Sequence, residues 1–296
     1  MSFTVTENMV QQFNTNFRVL GQQRTSRLQG WCQLEPGITG TSKSVERLGK
    51  TDAYDITSRH SDTVYVNTPH SRRWLDLYDK GWADLVDEMD KIRMLADPTS
   101  PYAGLGVKAL NRAKDDIIIA AARGSARLGS GGTQALPSGQ KIAQGSAGLT
   151  LAKLLTTKEI LDAAEVDEEL EADGQNPNMQ VNRVIAVTTK QLTNLLGTTE
   201  IKSVDYNNVK ALAQGQVDTF LGFKFIRTER LPKIGTDRYC IAWSKGCIAL
   251  GMGKDIVSSI DPLPTKNYSV QVYARMSIGA VRTEDEGVVE IACLEP

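Results

Sequence analysis

The stretch from residue 36 to residue 70 constrains the fold of this chain more than any other. Pro36, Gly37 and Gly40 open it, and charges of both signs run through it: Lys43, Glu46, Arg47, Lys50, Asp52, Asp55, Arg59 and Asp62. The apolar residues between them (Val45, Leu48, Tyr54, Ile56, Val64 and Val66) are too few to cover a face. Ile56 to Val66 has strand character, so the stretch is expected to form a long β-hairpin, wet on both faces. A lone hairpin is marginal in water. An excursion of roughly 30 residues without its own core is uncommon in a compact domain and usually functional. The physical reading is that another subunit stabilises it, with the eight charged residues as the candidate interface.

The flanking segments add an arm and a set of helices. Residues 1–35 are polar with isolated apolar positions, and Asn8 to Leu34 holds no acidic residue but carries Arg18, Arg24 and Arg27. Such a segment is too sparse for a core, and it reads as an arm lying against something, with these arginines facing an interior or a neighbour. Trp74, Leu77 and Tyr78, then Trp82, Leu85, Val86, Met89 and Ile92, follow helical spacing and predict helix over 72–96, stopped at Asp97-Pro98. Residues 102–123 form the longest helix candidate, with Leu105, Ala109, Leu110, Ala113, Ile117 and Ala121 on one side and Gly124 at its end. Thr150 is placed to cap another helix through Leu161, and a linker at Asp173–Pro177 marks the best domain boundary.

An α/β portion comes next. Val184–Val187 reads as a buried strand, Leu192–Gly197 as a short helix, and Asp205 as the cap of another. Phe220–Ile226 reads as a strand, and Tyr239–Trp243 with Cys247–Met252 as a hairpin about Lys245-Gly246. In 268–294, Val270, Val272, Ala274, Met276 and Ile278 alternate with polar residues and predict a second hairpin turning at Thr283–Gly287.

Catalytic signals are thin. Cys32, Cys240, Cys247 and Cys293 form no Cys-x-x-Cys and have no histidine at zinc-ligand spacing, so they read as reduced structural thiols. His60 and His70 are the only histidines. Ala242-Trp243-Ser244-Lys245-Gly246 lacks the first glycine of a nucleophile elbow. Gly251-Met252-Gly253-Lys254-Asp255 fits neither a P-loop nor a dinucleotide loop, and Gly124–Gly132 reads as a surface loop. The acidic run Asp162–Asp173 lacks the pattern of a calcium loop. No cofactor or metal is expected. With 34 basic and 35 acidic residues the net charge is −1, which argues against general capture of nucleic acid or anionic membrane. No apolar run reaches membrane-spanning length, and Met1–Gln12 does not read as a signal peptide, so a cytosolic product is expected.

The order of these segments, together with four stretches, resembles the major capsid proteins of tailed bacteriophages, the α+β Hong Kong 97-type capsid fold. The stretches are YAGLGVKALNRAKDDIIIAAARGSA (102–126), LTLAKLLTTKEILDAAEV (149–166), NRVIAVTTKQLTNLL (182–196) continuing to VDTFLGFKFIRTERLP (217–232), and YSVQVYARMSIGAVRTEDEGVVEIACL (268–294). The resemblance implies an N-terminal arm over 1–35 and an extended loop over 36–70. It also implies a peripheral domain over 71–182 and 263–296 with its spine helix at about 102–123, and an axial domain over 183–262. It implies a structural protein, not an enzyme, that self-assembles into pentamers and hexamers of an icosahedral shell enclosing double-stranded DNA. The shell would be built in the host bacterial cytoplasm and end in the virion. Implied partners are a separate scaffolding protein, a portal protein, the encapsidated DNA held without sequence specificity, and a decoration protein; a membrane is not among them. Lys43 and Lys50 lie in the loop, but no covalent lysine–asparagine crosslink is expected. Two other readings stay open: a tail or decoration protein of a phage, and a carboxylate enzyme for which Asp205, Asp218 and Glu229 are scattered candidates.

Overall fold

A computed structural model describes residues 20–60, 62–87, 99–166, 182–197 and 219–296. The expected linker at 173–177 and the helix capped by Asp205 lie outside these residues, as do Asp218 and Arg18. The described strands are β1 (Gln33–Pro36), β2 (Ser42–Leu48), β3 (His70–Asp76), β4 (Tyr78–Val86), β5 (Ala126–Leu128), β6 (Thr133–Gln134), β7 (Lys141–Ile142) and β8 (Arg183–Val187). They continue with β9 (Thr219–Phe220), β10 (Phe223–Arg227), β11 (Lys233–Ile234), β12 (Asp237–Ser244), β13 (Ile248–Pro262), β14 (Val270–Arg282) and β15 (Val288–Leu294). The described helices are α1 (Thr99–Arg123), α2 (Leu151–Ala163) and α3 (Thr189–Gly197). The chain divides into two compact units. One draws on the described residues within Met1–Ser26, Asp79–Ala113 and Lys254–Ser277, and the other on Arg27–Tyr78, Lys114–Gly253 and Ile278–Pro296.

The larger unit is built on a mixed sheet in the order β7-β15-β12-β8-β10-β9, with β11 on β12. β8 runs parallel to β10 and antiparallel to β12. All five residues of β8 are buried, as a nearly continuous apolar run covered on both faces should be. Trp243, Phe223, Ile185, Leu154, Leu161 and Leu195 fill the core around this sheet. α2 packs against β15. Its expected cap is present: the Thr150 hydroxyl accepts from the Lys153 N–H at 3.4 Å. A second sheet, β2-β3-β5-β6, carries its own small apolar cluster of Ile38, Val45, Leu75, Ala126, Ala249 and Val281. In the smaller unit β14 lies between β13 and β4. The alternation read at Val272, Ala274 and Met276 holds, all three being buried. Gly106 of α1 meets Trp82 of β4 here; a Cβ on Gly106 would come within 2.5 Å of the indole ring.

Five expectations are corrected. His70–Asp76 and Tyr78–Val86 form β3 and β4, not a helix; residues 88–96 of the predicted segment lie outside the described residues. The spacing of Trp74, Tyr78 and Trp82 satisfies a helical period, but aromatic residues favour strands. Burial of Arg73 and Leu75 with Trp74 between them follows period two. Among the described residues of Ile56–Val66 the expected strand does not form, and the hairpin ladder stops at Leu48 and His70. Tyr239–Trp243 and Cys247–Met252 are not hairpin partners, because a 3₁₀ turn at Lys245–Cys247 sends the chain from one sheet to another. β14 and β15 likewise lie in different sheets. Finally, the buried face of α1 is displaced by one residue from the predicted stripe, to Gly106, Leu110, Lys114, Asp115, Ile118, Ile119 and Ala122.

Candidate assembly interface

The loop that dominates the sequence is anchored firmly at its base and left bare at its tip. β2 and β3 pair antiparallel from Ser42↔Asp76 to Leu48↔His70, and β5 pairs on the far side of β3. Gly279 lets β14 pass close to the end of β3, since a Cβ there would come within 1.9 Å of the Asp76 carbonyl oxygen.

A buried charged joint fixes the same root. Arg282 donates from Nε to Asp285 Oδ1 at 2.6 Å, and Arg73 donates from Nη2 to Asp285 Oδ2 at 2.8 Å. Arg282 also donates to the carbonyls of Ala122 at 3.0 Å, Gly124 at 2.7 Å and Gln134 at 3.0 Å. One side chain thus ties the end of α1, β6 and the 283–287 turn together, while Arg73 ties in the hairpin. Burial pulls the Arg73 guanidinium below its usual range; Asp285 opposes this, and the nearby Arg47 and Arg282 add to it. Arg73 Nη1 and Arg47 Nε are buried and find no hydrogen-bond partner among the described residues. This joint was missed in the sequence. The one available signal was register: in β14, Arg282 has the parity of buried Val272, Ala274, Met276 and Ile278.

Beyond the joint the loop leaves the body. The Gly49 N–H donates to the Pro69 carbonyl at 2.8 Å and closes the stem. Lys50 Nζ then reaches back to the Ala164 carbonyl at 2.5 Å and to Glu165 at 3.4 Å, at the end of α2. A groove of about 570 Å³, lined among others by Arg47, Lys50, Glu165, Cys247, Glu284 and Glu286, lies beside the stem. Past Lys50 the described residues up to Asn67 are all exposed. The apolar ones are bare: Ile56 is 77% exposed, Tyr65 90% and Val64 58%.

The predicted interface residues therefore fall into two groups. Lys43 pairs with Glu35 at 2.7 Å and Glu46 with Arg72 at 3.3 Å, both on the stem along with Arg47. Lys50 braces the neck. Asp52, Asp55, Arg59 and Asp62 sit on the bare tip.

The arm lies along α1. In the smaller unit, Arg112 Nη1 donates to Gln22 at 2.6 Å, and Asn111 donates to the Arg24 carbonyl at 3.0 Å. In the larger unit, the Arg27 and Leu28 N–H groups donate to Asp115 Oδ1 at 3.1 and 3.2 Å. Arg27 also donates from its guanidinium to the Arg227 carbonyl. Asp115 has no exposed surface, so its role as the arm's acceptor explains why a carboxylate occupies the inner face of the helix. The side chain of Arg24 is exposed.

Among the described residues no converging catalytic set accompanies these surfaces. Glu229 accepts from the Thr189 N–H at 2.8 Å, at the start of α3. All four cysteines are free and buried; burial pushes the Cys32 thiol up to about 12. Among the described residues no cluster of His, Cys, Asp and Glu could hold a metal ion, and no helix is long and apolar enough to cross a membrane.

The chain matches the model of a family described as phage capsid protein over residues 5–295. It is similar to the capsid of Ralstonia phage GP4, with a TM-score of 0.75 at 10% identity, covering 97% of this chain and 96% of that one. It is similar to the capsid of cyanophage P-SCSP1u, with a TM-score of 0.72 at 15% identity, covering 100% and 96%. The head structure of Helicobacter pylori bacteriophage KHP40 gives 0.71 at 9% identity, covering 99% and 98%. At such identities the likeness is one of fold, the Hong Kong 97-type fold. No curated protein sequence matches the chain.

Proposed function

Because the chain belongs to the phage capsid protein family, and is structural rather than enzymatic, we propose that it assembles through its extended loop into pentamers and hexamers of an icosahedral shell around double-stranded DNA. The observation that carries this reading is the contrast within the loop. The stem has a sheet, an apolar cluster and a buried charged joint, whereas the described residues within 51–67 are all exposed, Ile56, Val64 and Tyr65 included. A rigid stem aims the tip, and an exposed apolar patch rimmed by charge marks a protein-binding surface. Repetition around a closed shell turns individually weak contacts into a stable assembly.

In this reading residues 183–262 form the axial domain, residues 71–182 and 263–296 the peripheral domain with α1 as spine, and residues 1–35 the arm. Pairing of β15 with β12 supports a tight join between the chain's end and the axial sheet. The tip residues Asp52, Asp55, Arg59 and Asp62 face a neighbouring copy, while Lys43, Glu46, Arg47 and Lys50 hold the stem at its working angle. The exposed Arg24 and the arm's other arginines face the interior or a neighbour. A net charge of −1 suits a lining that encloses DNA without gripping it. A separate scaffolding protein, a portal protein and a decoration protein complete the particle, which forms in the bacterial cytoplasm.

The test uses the closed stem. Replacing residues 50–68 by a short turn between Gly49 and Pro69 should leave a cooperatively unfolding protein that forms no particles by negative-stain microscopy. Shells assembled from that variant would overturn the reading.

A further inference from the structure

Two of the four cysteines meet inside the larger unit, away from the loop. β12 and β15 pair antiparallel with Cys240 opposite Ile291 and Cys293 opposite Arg238, so the two cysteines are diagonal neighbours on one face of the sheet. Neither has exposed surface. The Cys240 thiol donates to the Cys293 sulfur. Lys153 of α2 completes the cluster: its ammonium donates at 2.8 Å to the carbonyl of Ala292, the residue before Cys293. The hydrogen bond from Cys240, helped by the Lys153 ammonium, pulls the Cys293 thiol below its ordinary range against the opposing effects of burial and the Glu295 carboxylate. Cys240 is pushed up by the same hydrogen bond and by burial, and Cys32 and Cys247 are pushed up by burial. One sulfur of the four is thus biased towards thiolate, and a thiol stands beside it.

We propose that a peroxide oxidises this pair to a reversible Cys240–Cys293 disulfide that pins β15 to β12. The Cys293 sulfur attacks one peroxide oxygen and the O–O bond breaks; the departing hydroxide takes up the proton Cys293 gave, forming water, and leaves a sulfenic acid on Cys293. The Cys240 sulfur then displaces that hydroxyl, which leaves with the Cys240 proton as a second water. Two thiols lose two electrons and the peroxide gains them. Access comes from the sheet edge. β7 pairs with β15 only at Glu290 and Ile291, and beyond them the Leu294 N–H is held by the Ala147 carbonyl at 2.9 Å. Such an edge opens locally at less cost than the whole sheet. A diagonal pair must draw its strands together to close the bond, so the disulfide is strained and easily reduced. A virion protein is made among reducing thiols and leaves them with the particle, and there the pair would close.

Peptide mapping tests it on the full chain. After hydrogen peroxide, quenching with catalase and denaturation in N-ethylmaleimide, the protein should carry two alkylated cysteines instead of four. A nonreducing digest should join the Cys240 peptide to the Cys293 peptide, and dithiothreitol should restore all four thiols. Amide exchange over 291–294 should be slower in the oxidised protein by about tenfold. Dimedone fixes the order of the steps. In Cys240→Ala the sulfenic acid has no resolving thiol and should be trapped at Cys293, whereas Cys293→Ala should trap about tenfold less at Cys240. The parental digest needs neither variant, so misfolding of one leaves the test intact. Four alkylated cysteines after peroxide, a bond to Cys32 or Cys247 instead, or unchanged exchange over 291–294 overturns the proposal.

Discussion

Arg282 donates from Nε to Asp285 Oδ1 at 2.6 Å, three residues along the chain, with no part of the arginine side chain reaching solvent. Arg73 holds the other carboxylate oxygen, so one anion neutralises two buried guanidinium groups at the root of the extended loop.

Removing that anion should therefore cost far more than losing a surface ion pair. Asp285→Ala leaves Arg73 and Arg282 buried without a counter-charge, and a loss of about 3–5 kcal/mol is expected. Urea unfolding measures it. A loss below about 1 kcal/mol, the ordinary worth of an exposed pair, would show that the joint does not hold the root.

Lys153 solves a different problem at the start of α2. Its ammonium donates to the carbonyls of Gln144 at 2.7 Å, Ala147 at 2.8 Å and Ala292 at 2.8 Å, joining the loop before the helix to β15. Burial lowers its pKa. Lys153→Met keeps the apolar stem but strands three acceptors, and a loss on the order of 3 kcal/mol or more is expected in the same unfolding assay. Lys153→Arg should restore part of it.

Glu295 gives the protein an acid-sensitive latch near its last residue. Hydrogen bonds from Arg238 (2.7 Å from Nη2), Gln191 (3.1 Å) and Thr188 (3.3 Å) hold its carboxyl down at about 2, against an ordinary value of 4.5. A carboxyl whose pKa is depressed by folding stabilises the folded state above its unfolded value and loses that contribution as it protonates. Stability should thus fall between pH 4.5 and about 2. In Glu295→Gln the fall over that window should be shallower. Parallel curves for parent and variant would contradict the latch.

Much of the fold was legible where the signal is local. The apolar run Val184–Val187, the Thr150 cap and the alternation at Val272, Ala274 and Met276 each reflect an interaction within a few residues, and each is found as read. What failed depends on partners distant in sequence. β14 and β15 look like two arms of a hairpin, yet the sheet each joins is decided by β4, β12 and β13. Trp74 and Trp82 fit a helical period as well as a pleated one, and pairing of β3 with β2 decides between them. Asp115 lies on the inner face of α1, and nothing near it in sequence discloses the Arg27 and Leu28 N–H groups from which it accepts hydrogen bonds. For the site, the bare loop was visible as a deficit of apolar residues, whereas the joint that aims it needed Arg73, Arg282 and Asp285 brought together by the fold.

In the proposed assembly, residues 51–67 gain their order from neighbouring copies. Amide hydrogen exchange compares this segment most directly in unassembled protein and in assembled particles. Exchange should be fast in the unassembled chain, where these residues are exposed, and slowed by about tenfold or more in particles. The β2–β3 stem should be protected in both states. A segment 51–67 that exchanges equally fast before and after assembly, or is already protected in the unassembled chain, would contradict the account.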